Sequence, residues 1–165
     1  MNTLPSHAIP WAKPFFWGRE REYVADALAS TWISGGSYLE RLEREVAAFC
    51  GVSHALAVAN GTMTLHLAYL AIGLKPGDEV VVPGFAFLAA ANVALHLGAR
   101  PVFAEVDPST WCVRAEDIDH VFTPRTKAVV PVHFAGQACE LDELLALAAK
   151  HQIALVEDAA HAVGA

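Results

Sequence analysis

Hydrophobic positions recur along the chain in short runs that are apolar throughout, and segments with helical spacing separate the runs. The runs are ALAVAN, EVVVPG, PVFAEV, KAVVPVHF and IALVEDAA, all after residue 54. Runs of this kind are typical of strands in a parallel sheet that is covered on both faces. Because one helix separates each pair, the order predicts repeated β-α-β units. The sequence therefore predicts an α/β fold: a mostly parallel sheet of about five strands with helices on both faces.

Six segments have the spacing of helices. They are residues 20–31, 38–51, 62–72, 86–97, 115–122 and 141–151. The second has an apolar stripe, and Gly51 stands where a helix C-cap is expected. We expect one structural domain, in which an irregular start and two helices, residues 1–54, pack on a cofactor-type β-α-β part, residues 55–165.

Composition narrows the classes of function. Hydrophobic residues make up 55% of the 165 residues and charged residues 18%, so a disordered chain is excluded and a buried face between subunits is favoured. The net charge of -7, with only 11 Lys and Arg, excludes a nucleic-acid binder. No apolar stretch is long enough to cross a membrane, no signal peptide is recognisable, and the three cysteines form no C-x-x-C pair. We expect a soluble, cytoplasmic protein.

Candidate chemistry is sought at the carboxyl ends of the strands, because ligands of open α/β sheets bind there. The first run ends in Asn60-Gly61-Thr62 before a helix, where free N–H groups favour an anion such as phosphate. The alternative is an ordinary turn with Thr62 as the N-cap. The second run is followed by Phe85 and Phe87, either of which can offer a flat apolar surface or be an aromatic of the core.

Polar side chains follow the last two runs. His133 lies at the end of the fourth run. It can be a hydrogen-bonded structural residue or a residue that binds a ligand, and its role stays open. Asp158 ends the fifth, with His161 shortly after it. A carboxylate at the end of a buried strand is costly unless it meets a cation or several donors, although it can also cap the turn that follows. A metal site built from these three residues is the weaker alternative, because no known ligand spacing matches.

These strand ends together describe one ligand. Gly61 and Thr62 would hold a phosphate, Phe87 would lie against a flat ring, and Asp158 would pair with a cation in that ring. Pyridoxal phosphate has these three parts, and a carboxylate on its pyridine nitrogen keeps that nitrogen protonated.

The sequence also resembles the DegT/StrS-type nucleotide-sugar aminotransferases, which are fold-type I enzymes that use pyridoxal phosphate. The stretches that carry the resemblance are WISGG, the N-G-T before a helix, KPGDEVVVP with an aromatic pair, GARPVFAEVDPST, TPRTKAVVPVHFAGQ and VEDAAHAVGA. Full-length members transfer an amino group from glutamate to a nucleotide-linked keto-sugar.

The resemblance implies a role for each cofactor-binding residue. Gly61, Thr62 and Met63 would cradle the phosphate. Phe87 would stack on the pyridine ring, Asp158 would pair with its nitrogen, and His161 would lie near its phenolic oxygen. Many members have an acidic residue and then alanine where this chain has Met63 and Thr64, so this part of the phosphate contact departs from the family pattern. Gly35 and Gly36 of WISGG are weak candidates for substrate contact, because they can equally form a bare turn.

Family members continue beyond the part that matches this chain, and the continuation brings an S-F-x-x-K segment. Its lysine forms the Schiff base, and that Schiff-base lysine is absent from these 165 residues. Three of the lysines, Lys75, Lys127 and Lys150, precede strands and are expected at the opposite edge of the sheet, and nothing around the fourth, Lys13, suggests activation. We therefore predict that the isolated chain is inactive as an aminotransferase.

Two interpretations stay open: part of a sugar aminotransferase, or a non-catalytic binding or assembly module derived from that fold. A related dehydratase is a third and weaker one. In the family the strand that corresponds to ALAVAN pairs with strands outside these residues. Because an exposed apolar strand edge tends to associate, we expect a homo-oligomer or a complementing second half as partner.

Overall fold

A computed structural model describes residues 13–165, so the predicted irregular start at residues 1–12 lies outside the described residues. The described chain divides into two compact units, one ending at Ala57 and one from Val58 to Ala165. This division falls close to the predicted boundary at residues 54 and 55. The packing of the first part on the second stays a prediction. Among the residues described, no helix is long and apolar enough to cross a membrane.

The first unit contains two helices, α1 (Glu20–Ser30) and α2 (Ser37–Cys50). Helix α2 ends at Gly51, whose left-handed backbone (φ 67°) lets its N–H reach the last carbonyls of the helix, as the sequence predicts. The Tyr23 and Tyr38 rings contact each other across the two helices, and the Tyr38 hydroxyl donates to the Asp26 carboxylate at 2.8 Å. The apolar stripe of α2 remains largely exposed.

The second unit is a parallel sheet with helices on both faces. Its strands are β1 (Glu79–Pro83), β2 (Arg100–Ala104), β3 (Thr126–Val129) and β4 (Ala154–Leu155), in the spatial order β2-β1-β3-β4. All three strand pairs are parallel. The helices are α3 (Gly61–Ala71), α4 (Ala89–His96), α5 (Ala115–Val121) and α6 (Leu141–His151), and a short 3-10 turn spans Phe134–Gly136.

Two hydrophobic cores explain why the strand sequences are apolar throughout. Val80 and Val82 of β1 belong to one core, which is shared with α3 and α4. Val81 between them belongs to the other core, which is shared with α5 and α6. Alternate side chains of a strand point to opposite faces, and here both faces are covered. The α/β class and the parallel order are therefore confirmed.

Residues 13–165 form four strands, whereas the sequence predicts about five. The run ALAVAN at residues 55–60 forms no strand with any described residue. A strand is defined by its ladder partner, and this run pairs with neither of the two edge strands, β2 and β4. Leu56 of this run is 70% exposed. The apolar pattern correctly indicates a segment suited to burial, but the described residues supply no strand beside it.

Candidate functional site

The turn before α3 has free backbone donors. The Asn60 side chain accepts from the Met63 N–H at 3.0 Å, so Asn60 is the N-cap and the alternative that gave this position to Thr62 is wrong. The N–H groups of Gly61 and Thr62 donate no hydrogen bond to any residue that the structure describes. Two free N–H groups at a helix N-terminus favour an anion. No atom outside its own turn lies within 4 Å of where a side chain on Gly61 would begin, so the turn is open to a ligand.

The two phenylalanines that follow β1 have different surroundings. The Phe85 ring packs against Trp111 at 4.9 Å and against Phe134 at 5.0 Å between ring centroids. Phe85 therefore belongs to an aromatic cluster of the protein itself. Phe87 is 81% exposed. Of the two rings, Phe87 is the one whose surface is free to contact a ligand.

Asp158 lies at the carboxyl end of β4, in a backbone that is fixed on both sides. Its N–H donates to the Pro131 carbonyl at 2.9 Å, and its carbonyl accepts from the His133 N–H at 3.1 Å. Its Oδ1 accepts from the Ala160 N–H at 3.1 Å, so the carboxylate does cap the following turn. Its Oδ2 has no hydrogen-bond partner among the residues described. One oxygen thus stays available to a ligand.

The charge of Asp158 acts on the same face of the sheet as α3. The pKa of the Tyr69 phenol in α3 is raised, mainly by burial and further by the Asp158 carboxylate. The Tyr69 hydroxyl donates to the Ala90 carbonyl at 3.0 Å and so connects α3 to α4. The effect concerns Tyr69, which lies near the C-terminal end of α3.

His161 is exposed and contacts the 3-10 turn after β3. Its Nδ1 accepts from the Ala135 N–H at 3.3 Å, and its ring lies 6.0 Å from the Phe134 ring in an edge-to-face arrangement. In a neutral imidazole with Nδ1 accepting, the proton is on Nε2. His161 can therefore donate a hydrogen bond from Nε2 to a ligand at this edge.

His133 is buried, with 4% of its surface exposed. Its Nδ1 accepts from the Cys139 N–H at 3.1 Å, and its Nε2 lies 3.1 Å from Glu157 Oε2. Both ring nitrogens are therefore engaged within the protein, which is the structural alternative for this residue. No group of three or more His, Cys, Asp or Glu side chains suited to a metal ion occurs in residues 13–165.

The structure brings some of the predicted site residues together. Asp158 and His161 lie at one edge with His133 and the 3-10 turn, and Phe87 follows β1 at the same carboxyl side. Gly35 and Gly36 lie in the first unit, both with left-handed backbones (φ 81° and 83°), and Gly36 is the residue before α2. The left-handed backbone at both positions fits the turn alternative for this pair.

Sequence reasoning missed three residues at this edge: Glu157 as the partner of His133, Phe134 as the ring beside His161, and Ala135 as its N–H donor. Of the three, only Glu157 could have been found from the sequence. It is next to Asp158 in an extended segment, so its side chain is expected to point to the opposite side. Nothing in the sequence indicates the left-handed backbone of Ala135 (φ 52°), because alanine rarely adopts this conformation.

The three lysines of the second unit lie away from this edge. Lys75 precedes β1, Lys127 is in the first half of β3, and Lys150, at the end of α6, lies 3.1 Å from Asp119. These positions are at the amino ends of the strands. Lys13 lies in the first unit, in a segment without regular secondary structure.

Several residues of the second unit fit the separate parts of pyridoxal phosphate. Two free N–H groups suit a phosphate, an exposed aromatic ring suits a flat heterocycle, and a carboxylate with one free oxygen suits a protonated ring nitrogen. Asp158 and the turn before α3 have backbones held by hydrogen bonds or by a helix, whereas Phe87 lies in the loop between β1 and α4. Each group is chemically suited to one part of the molecule.

Known proteins with similar sequences include a GDP-perosamine synthase and a protein of spore coat polysaccharide biosynthesis. GDP-perosamine synthase of Caulobacter vibrioides is 45% identical over 166 residues, which cover 100% of this chain and 44% of that protein. The spore coat polysaccharide biosynthesis protein SpsC of Bacillus subtilis is 44% identical, over 96% of this chain and 41% of its own length. The chain therefore spans less than half the length of these curated relatives.

Solved structures agree in fold. That of 3-amino-5-hydroxybenzoic acid (AHBA) synthase matches with a TM-score of 0.87 and 41% identity, over 93% of this chain and 40% of that one. NtdA of Bacillus subtilis, with bound cofactor PMP, matches with a TM-score of 0.83 and 29% identity, over 87% of this chain and 33% of that one. A model of the DegT/DnrJ/EryC1/StrS aminotransferase family matches residues 17–165. The chain belongs to the DegT/DnrJ/EryC1/StrS aminotransferase family.

Proposed function

We propose that these 165 residues supply the phosphate-binding, ring-binding and nitrogen-binding side of a pyridoxal phosphate site in a sugar aminotransferase. The observation that carries the proposal is the Asp158 carboxylate, which is held by backbone hydrogen bonds at the carboxyl edge with Oδ2 free. This partly exposed carboxylate can pair with a cation through a charge-assisted hydrogen bond, and a protonated pyridine nitrogen is such a cation.

Each predicted residue has a distinct task in this proposal. The N–H groups of Gly61 and Thr62, with Met63 beside them, bind the phosphate, and Phe87 covers one face of the ring. Asp158 holds a proton on the ring nitrogen, and His161 donates from Nε2 towards the phenolic oxygen. When bound, the cofactor supplies an electron sink for the carbon that exchanges its amino group. The protein residues orient the cofactor and hold its nitrogen in the charged form.

The proposed reaction is the transfer of an amino group from glutamate to a nucleotide-linked keto-sugar. Its support is the family membership together with relatives that are named GDP-perosamine synthase, in Caulobacter vibrioides and in Vibrio cholerae. Gly35 and Gly36 remain candidates for substrate contact in the first unit. The alternative is a non-catalytic module that keeps the fold and binds a phosphate-bearing ligand without turnover.

The cofactor contact is tested by equilibrium dialysis of the chain against pyridoxal phosphate, read by absorbance. We expect saturable binding that Asp158→Ala weakens by about tenfold or more, because a charge-assisted hydrogen bond to the ring nitrogen is lost. Asp142→Ala, on the exposed side of α6, is the matched control and should bind as the wild type does. Absence of saturable binding by the wild-type chain, or equal binding by both variants, would contradict the proposal.

We also propose that the 165-residue chain is inactive by itself. Transamination needs an amine that holds the cofactor and then moves a proton, and Lys75, Lys127 and Lys150 lie at the amino side of the sheet. Incubation with glutamate and a nucleotide-linked keto-sugar should give no amino-sugar above the background of free pyridoxal phosphate. Sustained turnover that Asp158→Ala abolishes would show that one of these lysines, or Lys13, does reach the site.

A further inference from the structure

The His133 imidazole joins three segments at the carboxyl edge of the sheet. Its Nδ1 accepts from the Cys139 N–H, which connects it to the loop before α6. An imidazole whose Nδ1 accepts a hydrogen bond carries its proton on Nε2 when it is neutral. That proton faces Glu157 Oε2 at 3.1 Å, so the ring donates to the residue that precedes Asp158.

The backbone of His133 holds the same segment. Strand β4 covers only Ala154–Leu155. Beyond it, an isolated bridge between Val132 and Asp158 continues the parallel pairing. The Asp158 N–H donates to Pro131 and its carbonyl accepts from the His133 N–H, at 2.9 and 3.1 Å. The backbone of Asp158 is thus hydrogen-bonded to Pro131 and His133, which follow β3. The side-chain bond to Glu157 adds a third attachment at this end.

We propose that His133 is a positioning residue, which fixes Glu157 through its ring and thereby sets the orientation of Asp158. The proposal rests on the function proposed above, in which Asp158 binds the ring nitrogen. Neighbouring side chains of an extended segment point to opposite sides, so an anchored Glu157 side chain restricts rotation of the segment at Asp158.

The bond from His133 also keeps two carboxylates apart. Glu157 and Asp158 are adjacent in sequence and carry like charges, which repel each other at short distance. Because the Glu157 carboxylate is turned to the buried imidazole, Asp158 is the carboxylate left to face a ligand cation. The His133 ring therefore both fixes the position of Asp158 and keeps the Glu157 charge away from the ligand.

Two substitutions separate the two hydrogen bonds of the ring. In His133→Gln, the side-chain amide N–H₂ can take the place of Nε2 and donate to Glu157, but the acceptor for Cys139 is lost. In His133→Asn, the side-chain oxygen can take the place of Nδ1 and accept from Cys139, but the donor to Glu157 is lost. A residue that only supports the loop would be rescued by Asn, whereas the proposed positioning residue is rescued by Gln.

The experiment measures amide hydrogen exchange at Asp158 by NMR and pyridoxal phosphate affinity by dialysis, in both variants. We expect His133→Gln to stay within about threefold of the wild type in both measurements, and His133→Asn to show about tenfold faster exchange at Asp158 and about tenfold weaker binding. His151→Asn and His151→Gln are matched controls, because His151 Nε2 pairs with Asp119 at 2.8 Å at the end of α6. They should change neither quantity.

The exchange measurement needs no cofactor, so it separates the two proposals. If the wild type does not bind the cofactor but Asp158 exchanges faster only in His133→Asn, the positioning role stands and the proposed function fails. Normal binding and unchanged exchange in both His133 variants would overturn the positioning role and leave the proposed function standing. Rescue by Asn rather than Gln would also overturn it.

Discussion

Glu79 is a fully buried carboxylate at the amino end of β1. Its Oε2 accepts from the Thr123 hydroxyl at 2.5 Å, and its Oε1 accepts from Arg125 Nη2 at 2.7 Å. The Thr123 hydrogen bond, followed by the Arg125 bond, holds the pKa of this carboxyl below its usual value of 4.5. A group with a lowered folded-state pKa stabilises the fold above its unfolded pKa, and this contribution is lost as the pH falls through the folded value.

We predict that Glu79→Gln lowers the free energy of unfolding at pH 7 by about 1–3 kcal/mol, because the Thr123 hydroxyl and the Arg125 guanidinium lose a buried, charged acceptor. The variant should also lose less stability than the wild type when the pH falls below 4.5. Urea denaturation at pH 7, 5 and 3 measures both effects. Glu116→Gln is the control, since Glu116 pairs with Arg114 at the surface and should cost less than about 1 kcal/mol. Parallel pH profiles for wild type and Glu79→Gln would contradict the prediction.

At the scale of single residues, the sequence locates polar side chains but not their partners. Asp158 is visible because it ends an apolar run, and the family resemblance gives it a task. The partners of His133 are not visible, because Cys139 and Glu157 lie 6 and 24 residues away along the chain. The N-cap of α3 is Asn60 rather than Thr62 because the helix begins at Gly61, earlier than the pattern predicts.

The N-terminus of α3 caps the helix through Asn60, and we propose that it also binds an anion; one substitution separates the two roles. Asn60→Asp keeps an acceptor for the Met63 N–H, so the helix should stay as stable as in the wild type. The added negative charge beside the free N–H groups should weaken pyridoxal phosphate binding by about tenfold at low salt. Urea denaturation and dialysis measure the two effects separately.

Two further variants separate the effect of the added charge from the effect of losing the cap. Asn60→Ala should lower the free energy of unfolding by about 0.5–2 kcal/mol, because the cap is lost without a new charge. Asn92→Asp adds the same charge on the exposed side of α4 and should leave binding unchanged. If Asn60→Asp binds the cofactor as tightly as Asn92→Asp does, the phosphate does not lie at this turn.

At the scale of elements, the sequence predicts helices more reliably than it predicts which strands pair. The helix predicted at residues 141–151 is found as α6 with the same bounds, because its apolar spacing fits a single buried face. The run at residues 55–60 has the composition of a buried strand and yet is unpaired within the described residues. The hydrophobic pattern of a segment indicates whether it needs burial. Which strand it pairs with depends on other parts of the chain or of an assembly.

At the scale of the whole molecule, the second unit exposes an apolar face on α3. Met63, Leu67 and Leu70 are 42%, 42% and 52% exposed, and with Val58 they line one concave surface. Apolar patches of this kind on a soluble chain mark contact sites or aggregation hazards. The expected partner is a second copy of the chain or a complementing second half, and a purified single chain offers only the first.

We therefore predict that the purified chain associates with itself in a concentration-dependent way, and that Leu67→Glu shifts the equilibrium towards monomer. A charge placed in an apolar contact must lose its hydration, so the association constant should fall by about tenfold or more. Analytical ultracentrifugation over a range of concentrations measures this shift. Leu145→Glu is the control, because Leu145 is a similarly exposed leucine on α6, at 53%, outside that surface. A wild-type chain that stays monomeric at every concentration would show that this face needs no partner, and an equal shift in both variants would place the contact elsewhere.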